Sequence, residues 1–152
     1  MSAARVLLVD DDASVRSALA RALVSEGFAV TALAEADLVL RSVEREPPDI
    51  VLLDLRLGGA SGWDVFEELS RKYPLITVVI ITARVGQLDV AKLAGVGALL
   101  EKPIEIPALV SVMRGLLTED EQTRLARLAR RTPSPRFVPG RPRKGAFPRS
   151  LS

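Results

Sequence analysis

The feature that most narrows the fold is a set of five short apolar runs, each separated from the next by a stretch with helical spacing. The runs cover residues 6–9, 28–32, 50–53, 76–81 and 98–100. Most are continuously apolar rather than alternating, as strands covered on both faces should be. Between the first two, Val15, Ala18, Leu19, Ala22 and Leu23 share one helical face, and Gly27 stands where a helix would end. A second helix is predicted over 35–45, stopped by Pro47 and Pro48, and a third from Trp63 to just before Pro74. A fourth, over 86–94, is bracketed by Gly86 and Gly95. The fifth carries Pro107 in its first turn and a stripe of Ile106, Leu109, Val110, Met113, Leu116 and Leu117. Five β/α repeats predict an α/β fold, a doubly wound five-stranded parallel sheet with helices on both faces.

Composition removes whole classes of chemistry. The 152 residues contain no cysteine and no histidine. Disulfides, thiolate metal sites, the usual zinc sites and any imidazole base are therefore excluded. What remains are carboxylates, hydroxyls and amines. The apolar run near the N-terminus is too short for a membrane span, and the acidic cluster after it does not suit a signal peptide, so a cytoplasmic protein is expected.

The net charge of +2 conceals an asymmetry. Residues 1–121 hold all 19 acidic and 12 basic residues, net −7, whereas the remainder holds nine basic residues and no acidic one. Residues 1–117 are read as one domain. Residues 118–131 are read as an additional helix, opened by a capping box at 118–121 and carrying Leu125, Ala126, Leu128 and Ala129 on one side. Residues 132–152, with five prolines and several arginines, are expected to be a disordered basic tail.

In an open parallel sheet, ligands bind beyond the carboxyl ends of the strands. The first strand ends in Asp10, Asp11 and Asp12, the third in Asp54, the fourth in Thr82, and the fifth in Glu101, Lys102 and Pro103. Carboxylates, a hydroxyl and an amine thus gather on one rim. This set suits phosphoryl transfer to a carboxylate. Hard oxygen ligands hold Mg2+, which offsets the repulsion between a carboxylate and an incoming phosphoryl group, and an ammonium supplies a further positive charge. Each residue alone has a plainer use. Asp11 or Asp12 could cap the next helix, Thr82 could be a strand former, and Lys102 could be a solvated lysine.

These motifs, in this order, make the chain similar to the receiver domains of two-component response regulators. The resemblance spans residues 5–117 and rests on 6–12, on 49–54 with Gly62 after it, on 80–83, and on 101–103. It implies a flavodoxin-like (βα)5 fold with Asp54 as phosphoacceptor. Asp11 would be a direct Mg2+ ligand, Asp10 would help through water, and the carbonyl of Arg56 would complete the protein ligands along with Asp54. Thr82 and Lys102 would contact the phosphoryl oxygens, and the Lys102–Pro103 bond would be cis. The donor would be a phosphohistidine on a histidine kinase or a phosphotransfer protein. A downstream protein target would be met by the fourth helix, fifth strand and fifth helix. The only enzymatic chemistry implied is self-phosphorylation and self-dephosphorylation, and a homodimer is left open.

Three departures stand out. Gly58 occupies a position where the family usually has proline, which suggests a more flexible loop. Leu99 replaces the usual aromatic that swings inward with Thr82. Arg56 and Arg84 sit at positions that tune phosphate lifetime in the family. Competing functions are an aspartate-nucleophile phosphohydrolase, for which 10–12 supplies an Asp-x-Asp, and a receiver-shaped scaffold that is never phosphorylated. A binder of nucleic acid or an acidic partner through the basic tail is a further option. The tail is too short and proline-rich for a helix-turn-helix, so nucleic acid is not the favoured partner.

Overall fold

Alternation along the central strands decides the architecture, because successive side chains of a strand point to opposite faces. The computed structural model describes residues 3–83, 86, 88, 95–129 and 136–140. Their elements, in order, are β1 (Arg5–Val9), α1 (Ala13–Ser25), β2 (Ala29–Leu33), a 3-10 turn (Ala36–Leu38) leading into α2 (Val39–Arg45), and β3 (Ile50–Asp54). There follow β4 (Arg56–Leu57), β5 (Ala60–Ser61), α3 (Gly62–Lys72), β6 (Thr77–Thr82), β7 (Ala98–Glu101), α4 (Ile106–Thr118), α5 (Glu121–Leu128) and β8 (Arg136–Val138). The main sheet has the order β2-β1-β3-β6-β7-β8 with every pairing parallel. β4 and β5 form a separate antiparallel hairpin.

Val6, Leu8, Ile50, Leu52, Val79, Ile81 and Leu100 face one layer, where Leu19 and Leu23 of α1 and Leu109, Met113 and Leu116 of α4 cover them. Leu7, Val9, Val51, Leu53, Val78, Ile80 and Leu99 face the other, against Val39 and Val43 of α2 and Val65, Phe66 and Leu69 of α3. Each buried Val, Leu or Ile contributes about 1.5–3 kcal/mol of transfer free energy, so the two layers fix the strand register. Asp12 starts α1, its Oδ1 accepting from the N–H groups of Ser14 (2.9 Å) and Val15 (3.1 Å). Gly27, at φ +97°, turns the chain out of that helix as expected.

The structure revises several expectations. The second helix opens as a 3-10 turn and becomes α-helical only at Val39. The capping residue of α5 is Asp120, which accepts from Thr123 N–H at 2.7 Å. Thr118 instead ends α4, its hydroxyl donating to the carbonyl of Arg114 at 2.8 Å. On α5, Leu125 is exposed while Arg127 is buried. Arg127 forms an ion pair with Glu119 at 2.5 Å, a contact absent from the sequence reading. The expectation of disorder fails at residues 136–138, which form a sixth strand on the outer edge of β7. The predicted fourth helix (86–94) apart from residues 86 and 88, Arg84, and residues 130–135 and 141–152 lie outside the described residues.

Candidate functional site

The switch in strand order lies between β1 and β3, where the connections leave on opposite sides of the sheet, and a crevice forms at the carboxyl end. Asp10 follows β1 and Asp54 ends β3, so both carboxylates arrive there on rigid strands and are almost fully buried. Lys102 follows β7 and reaches both. Its Nζ donates to Asp54 Oδ2 at 2.6 Å and to Asp10 Oδ2 at 3.2 Å. The second oxygen of each carboxylate takes a backbone donor two residues on, Asp12 N–H to Asp10 Oδ1 and Arg56 N–H to Asp54 Oδ1, both at 2.9 Å. Asp11 is exposed at the mouth, where its Oδ2 accepts from Gly58 N–H at 2.9 Å.

The turn after Asp54 depends on Gly62. A Cβ there would collide with the carbonyl oxygen of Asp54 and lie 2.6 Å from the Cα of Leu55. Its N–H closes the hairpin by donating to Leu55 O at 2.9 Å. Gly58 has φ +63°, a conformation closed to proline, and its amide is in use. The loop is therefore held by a bond to Asp11 rather than loosened by the glycine.

Asp11, Asp54, Arg56, Thr82 and Lys102, with Asp12, Leu55, Trp63 and Leu88, line an open cleft of about 380 Å³. Thr82 is buried at the end of β6, beside Glu101 of β7. The Lys102–Pro103 peptide is cis. Burial raises the Asp10 carboxyl above its ordinary value, and the Asp54 charge adds to this against the opposing pull of the Asp12 amide and Lys102. For Lys102, burial acts to lower the ammonium, but its bonds and charge attraction to Asp54 and Asp10 outweigh it, leaving the group above its ordinary value and cationic.

Asp10, Asp11, Asp54, Thr82 and Lys102 meet in this region, Asp12 is committed mainly to capping α1, and Glu101 accepts from Gly140 N–H. Asp10, Asp11 and Asp54 each offer an oxygen within 4.8 Å of the others, a spacing that could hold a metal ion. The donor set fits a hard divalent cation. Three carboxylates meet one ammonium, and Lys102 is the one cation bonded to their oxygens among the described residues. The sequence reading missed the role of Gly58 N–H, whose only signal was a departure from an expected proline. No helix of the described residues is long and apolar enough to cross a membrane.

Comparison with known proteins agrees with this geometry. The pattern of the response regulator receiver domain matches residues 6–114. The chain is 33% identical over 121 residues to the DNA-binding transcriptional regulator NtrC of Proteus hauseri, covering 78% of this chain and 25% of that protein. It is 37% identical over 114 residues to the sensory transduction protein RegX3 of Mycolicibacterium smegmatis, covering 74% of this chain and 50% of the relative. The matched region thus spans a quarter to a half of these relatives' length. Among solved structures, a CheY-like receiver domain protein from Methanospirillum hungatei superposes with a TM-score of 0.72 at 25% identity, covering 80% of this chain and 99% of the other. With its parallel sheet, its acidic crevice and this match over most of its length, the chain belongs to the response regulator receiver domain family.

Proposed function

We propose that this chain is a phosphorylation-dependent signalling switch in which Asp54 accepts a phosphoryl group from a phosphohistidine on a histidine kinase or a phosphotransfer protein. The observation that carries the reading is the contact of Lys102 with both Asp54 and Asp10 at the floor of an open cleft. In the transfer, a carboxylate oxygen of Asp54 forms the new P–O bond while the P–N bond to the donor imidazole breaks. The imidazole keeps the electron pair and takes a proton from solvent.

Asp10, Asp11, Asp54 and the carbonyl of Arg56 would hold Mg2+, which when bound supplies positive charge against the approaching phosphoryl oxygens. The protein does the positioning. The amide of Arg56 orients the Asp54 carboxylate. The Lys102 ammonium passes from Asp54 to the phosphoryl oxygens, and the Thr82 hydroxyl donates to them from the facing strand. In domain terms, residues 1–117 are the receiver unit and the C-terminal addition begins at 118. Output is a protein contact in the cytoplasm rather than turnover of a small substrate.

The test is incubation with Mg2+ and acetyl phosphate, followed by mass mapping. One phosphoryl group is expected on Asp54, none in Asp54→Ala, and none when Mg2+ is chelated. A label on Asp10 would instead indicate an Asp-x-Asp phosphohydrolase.

A further inference from the structure

The C-terminal addition touches the sheet near the amino end of β6 and again at the carboxyl end of β7. α5 is fastened near the amino end of β6: Arg124 donates to the carbonyl of Leu75, and the buried Arg127 lies between Glu119 and Thr77. β8 then climbs along the outer edge of β7, with Arg136 beside Ala98, Phe137 beside Leu99 and Val138 beside Leu100. At its far end Gly140 N–H donates to Glu101 Oε1 at 3.2 Å. The two segments approach closely there. A Cβ on Gly140 would lie 2.6 Å from the carbonyl oxygen of Lys102 and 2.9 Å from that of Glu101. The residue whose ammonium holds Asp54 is thus the residue against which the strand ends.

The hold of this strand is light. Phe137 is 52% exposed and Arg136 is exposed, so half-buried Val138, packed against the layer of α1 and α4, is the strand's one apolar anchor. Beyond Val138, what holds it are ladder hydrogen bonds, the Gly140–Glu101 contact and a 4.0 Å approach of Arg136 to Glu119. Segments of that kind open at low free energy. A backbone contact without slack also passes on any shift of Lys102.

We propose that residues 136–140 are a self-docked strand that masks the β7 edge in the resting chain and is released when Lys102 leaves its present contacts in the cleft. Uptake of a phosphoryl group on Asp54 requires that departure, so as a signalling device the proposal rests on the function inferred above. Release bares the donors and acceptors of the β7 edge beside α4, a surface to which a partner can add an extended strand.

The experiment is amide hydrogen exchange over 98–102 and 136–140 in the full chain. It compares wild type, Gly140→Val, which cannot close on Lys102, and Lys102→Met, with phosphoryl occupancy read by mass in the same samples. In resting wild type both segments exchange more slowly than in Gly140→Val. Phosphorylated wild type and unphosphorylated Lys102→Met both exchange about fivefold or more faster than resting wild type, the range of ordinary coupling between sites. Resting wild type exchanging as fast as Gly140→Val overturns the proposal, as does a phosphoryl group on Asp54 that leaves exchange unchanged. If no phosphoryl group is taken up, the functional reading fails. Lys102→Met then decides the link between cleft and strand, with faster exchange supporting it and unchanged exchange overturning it.

Discussion

At position 58 the backbone meets two demands at once. It must turn with φ +63° between β4 and β5, and it must present an N–H to Asp11. Glycine meets both, and proline meets neither. Gly58→Ala keeps the amide but strains the turn, and the expected loss is about 1 kcal/mol in urea unfolding. Gly59→Ala serves as the control, since open space surrounds that residue and no such strain applies. Equal midpoints for the two variants would refute the assignment. At this scale the sequence was informative about residue type and less so about use. Asp10, Asp54 and Lys102 stood out because each closes an apolar run. That Asp12 caps a helix while Asp10 is buried depends on the direction of each side chain, which three adjacent aspartates do not reveal.

Four of the apolar runs, β1, β3, β6 and β7, were readable because burial on two faces leaves a strong pattern in the residues themselves, whereas β2 is a largely exposed strand. The C-terminal strand carried no such pattern. β8 has only Phe137 and Val138 as apolar residues, among prolines and arginines, and its order comes from the edge it joins. α5 falls within the helix expected at 118–131, but its buried residue is an arginine, and an arginine is buried only when a partner awaits it. The Glu119 side chain is also buried, so the pair can be tested directly. Arg127→Met leaves that carboxylate largely uncompensated and is expected to lower stability by about 3 kcal/mol. Adding Glu119→Gln should restore most of the loss. A double-mutant cycle in urea measures this, and additive losses would show that the two side chains do not act as a pair.

For the molecule as a whole, the acidic crevice is a local conflict that the fold carries for its use. Because the Asp10 carboxyl lies above 3.8 in the folded chain, the native state takes up its proton before the unfolded state does as pH falls. Stability linked to this group therefore rises on acidification, from the folded value down to about 3.8. Lys102 acts at the other end of the scale. Its contribution is complete below 10.5 and is lost as pH rises through its higher folded value. In chelator at neutral pH, Asp10→Asn is expected to be more stable than wild type, with the gap closing as the pH is lowered towards 4. Mg2+ should narrow the neutral-pH gap by stabilising wild type. A gap that does not change with pH would refute the account.

β8 runs parallel to β7, so the polypeptide reaches Gly140 at the pole where the carboxylates lie, while β1 starts from the opposite pole. A fluorophore, an affinity handle or a second module inserted at Gly140 would sit at that pole, the doorway for a phosphate donor under the function proposed above. A handle placed ahead of Arg5 starts from the far side and leaves that doorway clear. Immobilising the protein by its front end is therefore the geometry that would keep this pole open to the proposed donor.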